Sequence, residues 1–506
     1  SGAYNALGAL YGESHNVDCA IASFKKALSL DPRNWQTHYN LALALLSKND
    51  LHGAASQLET AVKERPGASM AHNALGLVLG RLGQLDGAAH EFKTAHDLKP
   101  NDPSASSNLA EAAMDLKRYG AAIYYLKQAL ALSPPKGLAY RMQMDMGVAY
   151  SENGQYGEAA RIFTKMIAEY PHSAQLHFDL ATSDAHHQQY VEAAREYKRA
   201  LDLDPSNDVA RLSLAKALMI INQVRQALTY ALQYTRRKPG DAEGYVVLGQ
   251  AYRKLGAFEK AAAALEEAVK LDPASYDARY NLGFSLGRLG KTQDAIQQIQ
   301  EAEKLKPHSA EAPYELGILL AKRKDEQAAQ SQFQAFQELK VEKDRKEKAG
   351  VLNNQGNADL KAGNSREAAQ AYQQAVTLDP ANAEWRYNYA LALSDLGDRA
   401  GEERELKRTV QLDPNLGKAH DDLGLCYLGD GKLALAAGQF KTALEIKPQF
   451  AEAQNNLGVL YARQGKNGQA IGLFTQATIN NPQYAQAFMN WGIILASEGH
   501  YNQASD

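Results

Sequence analysis

Cysteine is nearly absent: Cys19 and Cys426 are the only two in 506 residues. That count excludes a disulfide-stapled scaffold and assigns no compartment. No apolar run reaches the ~18 residues that a membrane-spanning helix needs. A basic flank followed by an apolar stretch is missing from Ser1 to Leu10, so no signal peptide is visible. The chain does not begin with Met, which raises the expectation of a removed upstream segment. Net charge is only −3, which gives no global basic field for nucleic acid. A Gly-rich phosphate loop is also missing. The 13 histidines are scattered and do not converge as the three or four ligands of a metal site would. His186-His187 falls at a turn, and His38 and His72 fall at equivalent places in neighbouring units. The expectation is a chain without catalytic residues, cofactor or metal, and with localisation unassigned.

What the chain does have is a ruler of proline. Thirteen of its 16 prolines keep one phase. Pro32, Pro66, Pro100 and Pro134 lie 34 residues apart, and Pro171 follows 37 later. Pro205, Pro239, Pro273 and Pro307 resume the step, as do Pro380, Pro414, Pro448 and Pro482 after a gap of 73. A fixed period of this length marks stacked supersecondary units rather than one globular core. By this count there are 14 complete units and a fifteenth of 22 residues.

Ser1–Asn34 serves as the first unit. Tyr4, Leu7, Gly8 and Tyr11 recur at helical spacing and form one stripe. Ala20, Phe24 and Ala27 form a second stripe on a second helix. Pro32 then ends that helix, because it cannot continue one and disfavours helical geometry just before it. Residues that follow the prolines, such as Asn101 and Asp102 or Ser206 to Asp208, are good helix N-caps. The eighth residue of every unit is Gly or Ala, and the twentieth is Ala in 14 of 15 units, from Ala20 to Ala504. Gly costs up to about 1 kcal/mol against Ala in a helix, so its recurrence predicts close helix approach. The exception at position twenty, Glu402, predicts a loosened pair in its unit.

This pattern closely resembles the tetratricopeptide repeat family. Tyr245, Leu248-Gly249, Tyr252, Ala261, Leu265 and Pro273 follow the family's bulky, Leu-Gly, aromatic, Ala, aromatic, Pro series, with Leu265 at the place of the second aromatic. The resemblance covers essentially the whole chain. It implies an all-α, right-handed superhelical solenoid of about 14.5 helix-turn-helix repeats with a concave inner groove.

Two places break the ruler. Three residues are inserted near Pro134-Pro135-Lys136-Gly137, which predicts a longer loop. Five more are inserted after Phe336, where the terminal Pro is missing. The segment Glu338 to Lys348 mixes both charges without a breaker and predicts an extended, solvated second helix in the tenth unit. It divides the array into repeats 1–10 over residues 1–348 and repeats 11–15 over residues 349–506.

On the first helix the second, sixth, ninth and thirteenth residues point away from the core stripe. In the family such a stripe lines the groove. The sixth residue is Asn at Asn40, Asn108, Asn281, Asn354, Asn388, Asn456 and Asn490, and Asp at Asp145, Asp179 and Asp422. Asn offers both a donor and an acceptor, so a ladder of it would hold a peptide backbone whatever its side chains. The pattern resembles the repeat domain of O-linked N-acetylglucosamine transferase, over the repeats alone. The ladder is broken at Ala6, Ala74, Ser213, Val247 and Glu315. Asn at this place also serves simply to cap or solvate a helix, and both readings stand.

The thirteenth residue is basic in four successive units, Lys254, Arg288, Lys322 and Lys361. Glu111, Asp115, Asp145, Glu152 and Asp179 form an acidic group earlier in the chain. Such a gradient would orient a peptide and favour an acidic segment near the basic arc, or it is ordinary solvated charge. Aromatics at the fifth residue (Tyr39, Phe178, Tyr280, Tyr314, Tyr387) either border the groove or bridge units. A Lys/Asn/Arg clamp for a C-terminal carboxylate is not evident.

The expected function is therefore a non-catalytic scaffold that binds an extended polypeptide in its groove. The expected partners are a protein or peptide, with neither nucleic acid nor a membrane span. Two alternatives remain open. The first is a structural protein that self-associates head to tail, because the chain begins in a first helix and stops partway through a last unit. The second is the repeat region of a larger enzyme whose catalytic domain lies outside this segment.

Overall fold

A computed structural model describes residues 1–499. They form 28 α-helices, and among the described residues there is no strand. From the first helix to Lys136–Glu152, from Ala174–His186 to Arg399–Leu412 and from Leu433–Ile446 to Ala485–Ser497, each helix packs on the next in the chain, the pattern of an all-α repeat solenoid. By packing, the chain falls into two compact parts, Phe163–Cys426 and Ser1–Ile162 with Tyr427–Asp506.

The second unit shows how sequence sets each hairpin. Asn34 Oδ1 accepts from the Thr37 N–H at 3.1 Å and starts the helix Trp35–Ser47. Asn49 turns the chain at φ +61°, and the second helix runs from Leu51 to Glu64, just before Pro66. Asp102 and Asn207 cap their helices in the same way, as expected. The fifteenth residue takes positive φ throughout, and Gly83 at φ +76° is one of the glycines that make this turn without strain.

Close approach at the eighth residue is real, and its cause is specific. A Cβ on Gly76 would lie 2.7 Å from the Phe92 ring, and one on Gly249 would lie 2.4 Å from Leu265. The twenty-fourth residue of the second helix thus lies over the eighth residue of the first. A Cβ on Gly283 would also sit 3.0 Å from the Ala295 carbonyl, so the two backbones themselves are close at the twentieth residue. Ala504, counted in that series, lies outside the described residues. Glu402, the exception, stays half-buried beside Cys426, whose thiol is pushed up to about 12 by burial and then by the Glu402 charge. Its helix pair is not loosened, since Ala390 and Leu406 remain buried.

A second device recurs at the fourth residue, where His38 and His72 stand. His38 Nε2 lies 2.9 Å from the Pro32 carbonyl, and its Nδ1 lies 2.8 Å from Gln57 Oε1. His72 and His177 repeat this with Pro66 and Glu91 and with Pro171 and Glu196. Arg279 and Arg386 do the same with guanidinium groups on Pro273 and Pro380. Each side chain ties the carbonyl at the proline turn to the following hairpin, satisfying a group that the broken helix leaves orphaned. His420 makes the same contact with the Pro414 carbonyl at 3.0 Å, so these clasps account for four of the histidines.

The two irregular joints differ. After the fourth unit the helix ends at Ala131, and the next, Lys136–Glu152, has 17 residues instead of the usual 13. The inserted residues therefore lengthen a helix instead of only a loop, because Pro135 at its N-cap is pre-set for a helix start. Stacking is unbroken, with Leu126, Ala129, Met142 and Ala149 all buried. In the tenth unit no proline intervenes. Its second helix does not end near Lys348 but continues as one 36-residue helix, Glu326–Lys361, into the eleventh unit. The division expected after residue 348 thus falls inside a helix.

Candidate peptide-binding groove

The sixth-residue asparagines have partners that sequence reasoning missed. Asn40 Nδ2 donates to Asn5 Oδ1 at 3.2 Å, and Asn108 donates to Asn73 at 2.9 Å. Asn388 donates to Asn353 at 3.0 Å and Asn490 to Asn455 at 2.8 Å. Each pair joins the fifth residue of one unit to the sixth of the next, 35 residues on. Tyr387 follows the same rule, its hydroxyl donating to Asp422 Oδ2 at 2.7 Å. The signal was in the sequence: each Asn at the fifth place is followed 35 residues later by Asn. Four rungs of the ladder are thereby engaged as links between repeats; the carbonyl oxygen of Asn490 accepts from Gln486 Nε2 at 3.1 Å, and those of Asn40, Asn108 and Asn388 remain as acceptors.

Asn281 differs. The fifth residue before it is Val246, so no amide reaches across. Its Nδ2 donates to the Asp277 carbonyl at 2.7 Å, and its buried Oδ1 has no hydrogen-bond partner. Asn354 stands exposed on the long helix. Asn456 receives a weak 3.4 Å bond from Asn455.

Within Phe163–Cys426 the second stripe lines a cavity. Lys216, Ile220, Val247, Gln250 and Asp277, from the ninth, thirteenth, sixth, ninth and second places of three successive units, surround about 540 Å³ with Met219. Lys254 Nζ bonds the Met219 carbonyl at 3.1 Å, fixing one basic side chain at this wall. Next along the stripe is Phe284, the ninth residue of its unit. The Arg253 guanidinium lies 4.8 Å from its ring centre and the Arg288 guanidinium 5.1 Å. Asn281, Phe284 and Arg288 share one face of the helix Tyr276–Arg288 at i, i+3 and i+7. Glu315 lies among Arg288, Lys322 and Arg253; burial raises its carboxyl while these cations oppose the rise. Arg253, Arg288 and Lys322 thus converge.

Lys361 stands apart from them. It ends the long helix, and at ~1.5 Å per residue that helix holds it about 50 Å from Glu326. The acidic residues are less uniform than their sequence grouping suggests. Asp145 is raised by burial and then by Glu111. Asp179 is raised to about 6 by burial. Glu111, Asp115 and Glu152 are exposed. Of the fifth-place aromatics, Tyr280 stacks on Tyr276 with centroids 5.8 Å apart, and Phe178 packs on Tyr197 at 5.8 Å.

A tetratricopeptide repeat model matches residues 5–69, 73–136, 144–208, 280–340, 353–416, 422–485 and 455–504. Related repeat models match residues 184–250 and 249–290. The chain belongs to the tetratricopeptide repeat family, and by that membership it is a protein–protein interaction scaffold. It is 24% identical over 225 residues to BBSome complex member BBS4 of Bos taurus, covering 44% of this chain and 43% of that protein. Protein STIP1 homolog of Dictyostelium discoideum is 32% identical over 88 residues, 17% of this chain and 16% of that one. The chain spans less than half the length of these relatives. Among solved structures, the APC/C hetero-tetramer Cut9-Hcn1 aligns over 90% of this chain and 96% of that one, at 16% identity and TM-score 0.28. MamA aligns over 32% of this chain and 96% of its own, at 25% identity and TM-score 0.31. At such scores the likeness is loose, and the fold assignment rests on the helices and the family match.

Among the described residues no helix is long and apolar enough to cross a membrane.

Proposed function

We propose that the chain binds an extended polypeptide along the stripe from Lys216 to Lys322, with an acidic segment of the ligand over the basic arc. The observation that carries this reading is the convergence of Arg253, Arg288 and Lys322 beside the Phe284 ring. Guanidinium groups braced on an aromatic face are pre-organised for carboxylates, and less entropy is lost when they bind. Asn40, Asn108 and Asn388 keep their carbonyl oxygens to accept from peptide N–H groups, and the likeness to the repeat domain of O-linked N-acetylglucosamine transferase belongs to this proposal. Relatives named as STIP1 homolog and Hsp70-Hsp90 organizing protein support a non-catalytic role among protein partners.

The test is fluorescence anisotropy with a labelled alternating Ser-Glu peptide and its Ser-Lys counterpart. Binding of the acidic peptide alone is expected, with Arg253→Ala plus Arg288→Ala weakening it about tenfold or more, as loss of charge-assisted bonds implies. Equal binding of both peptides, or no effect of the substitutions, would reject the arc.

A further inference from the structure

The long helix leaves two repeat faces uncovered, and both faces are known by comparison with every regular joint. The twenty-fourth and twenty-seventh residues are buried in the other complete units, for example Phe24 and Ala27, Leu265 and Ala268, Phe440 and Ala443. In the tenth unit these are Phe333 and Phe336, and both are only half-buried. Tyr314 beside Phe336 is 47% exposed. On the other side, the third residue is buried against the preceding unit at Ala71, Met142, Ala278 and Ala487. In the eleventh unit it is Val351, which is 69% exposed. Gln355 takes the seventh place where most units carry a buried Leu, and it too is exposed. At regular joints the twenty-seventh residue meets the third residue of the next unit, as Ala61 with Ala71 and Ala268 with Ala278. Phe336 and Val351 are the corresponding pair, and they never meet here. They lie 15 residues apart on one helix, about 22 Å, and on one side of it.

We propose that a second copy of the chain closes this gap. Two long helices pair antiparallel about a two-fold axis between Lys343 and Asp344, so that the tenth unit of each copy stacks on the eleventh unit of the other. The register is already fixed by the regular joints: Phe336 faces Val351 of the other copy, and Val351 faces Phe336. The same register sets Lys340 opposite Glu347 and Lys343 opposite Asp344, each an opposite-charge pair. Phe333, Phe336, Lys340, Lys343 or Asp344, Glu347 and Val351 recur every three or four residues and form one continuous face. A charge pattern that inverts about its own centre is what antiparallel self-pairing requires, and it argues for a second copy over an unrelated helix. Bulk is no obstacle, since Met166 and Leu176 occupy the same two places at another joint and are both buried. The exchange is a domain swap whose hinge is the segment lacking proline.

The test uses the whole chain with Cys19→Ser and Cys426→Ala. Phe336→Cys and Val351→Cys are made separately, mixed and oxidised, and sedimentation is run at about 100 µM, well above a micromolar dissociation constant. A disulfide-linked dimer that forms from the mixture but not from either variant alone is expected. Val351→Glu is expected to give monomers of unchanged helicity, because Val351 is already exposed in the single copy. Val341→Pro with residues 344–348 removed restores the 34-residue step and is expected to be monomeric, its two faces meeting within one chain. Monomeric sedimentation of the natural sequence, absence of the mixed disulfide, or a bond within one chain of the double-cysteine variant would each overturn the proposal.

Discussion

The joints after Pro134 and after Phe336 received similar insertions, three residues and five, with opposite results. At the first, the helix stops at Ala131 and stacking resumes with Met142 buried. At the second, two helices merge into Glu326–Lys361 and Val351 is left exposed. Extra length alone does not interrupt the array. Proline does the punctuating, since it forces the chain out of helical geometry and lets the next helix fold back. Without it, a stretch rich in Glu, Lys and Arg with i,i+4 pairs such as Lys346–Glu342 at 2.5 Å simply continues as helix.

The largest effect that sharpens this contrast compares one place in two units. Phe440→Ala, at a fully buried ring, is expected to cost about 3–5 kcal/mol. Phe333→Ala, made in the monomeric Val351→Glu background where this face is uncovered, is expected to cost less than half of that, because half-exposed surface leaves a smaller cavity. Hydrogen exchange of the adjacent helices measures both locally, which suits an array that need not unfold in one step. Equal losses would mean that the face at Phe333 is covered in solution.

Pro134→Ala with Pro135→Ala removes the punctuation at the first joint. Fusion of the helix Tyr119–Ala131 with Lys136–Glu152 would be opposed by the burial of Leu126 and Met142. The expected outcome is a loss of about 1–3 kcal/mol for the local unit, from the more flexible unfolded chain and a weakened stop. No loss would show that packing, and not proline, holds this joint.

Asn388→Ala breaks the link to Asn353 and should loosen the joint between those units by about 1 kcal/mol, the usual worth of one hydrogen bond. Asn354→Ala, at an exposed rung without this link, should change stability by far less.

The smallest effect is with pH. Burial holds Asp179 at about 6, and Asp184 is likewise raised to about 6 by burial and then by Glu192 and Glu196. A carboxyl raised in the folded state favours folding when protonated. Protection of the helix Ala174–His186 is therefore expected to be fullest below about pH 4 and to decline as pH rises through about 6. Flat protection across that window would place both groups in water.

The repeat count, the hairpin boundaries and the close approach at the eighth residue were legible because each depends on a short, local rule repeated many times. The N-caps at Asp102 and Asn207 were legible for the same reason. The clasps at His38 and His72 were not, since they join a side chain to a backbone carbonyl that no residue identity reveals. The Asn links needed two positions read together across 35 residues. The fused helix was half legible: the missing proline and the charge run were plain, but whether a helix ends or continues depends on packing lost and gained. The basic arc was drawn too long, as Lys361 keeps the repeat phase in sequence but not the stacking that would bring it to Lys322.

The most direct measurement is the distance between spin labels at Glu326→Cys and Lys361→Cys, with Cys19 and Cys426 replaced and labelled chain diluted in unlabelled chain. These two exposed residues mark the ends of the long helix. One unbroken helix of 36 residues predicts a separation of about 50 Å. An antiparallel hairpin at this joint would bring the two ends side by side, within roughly 10–15 Å, and that result would contradict the account.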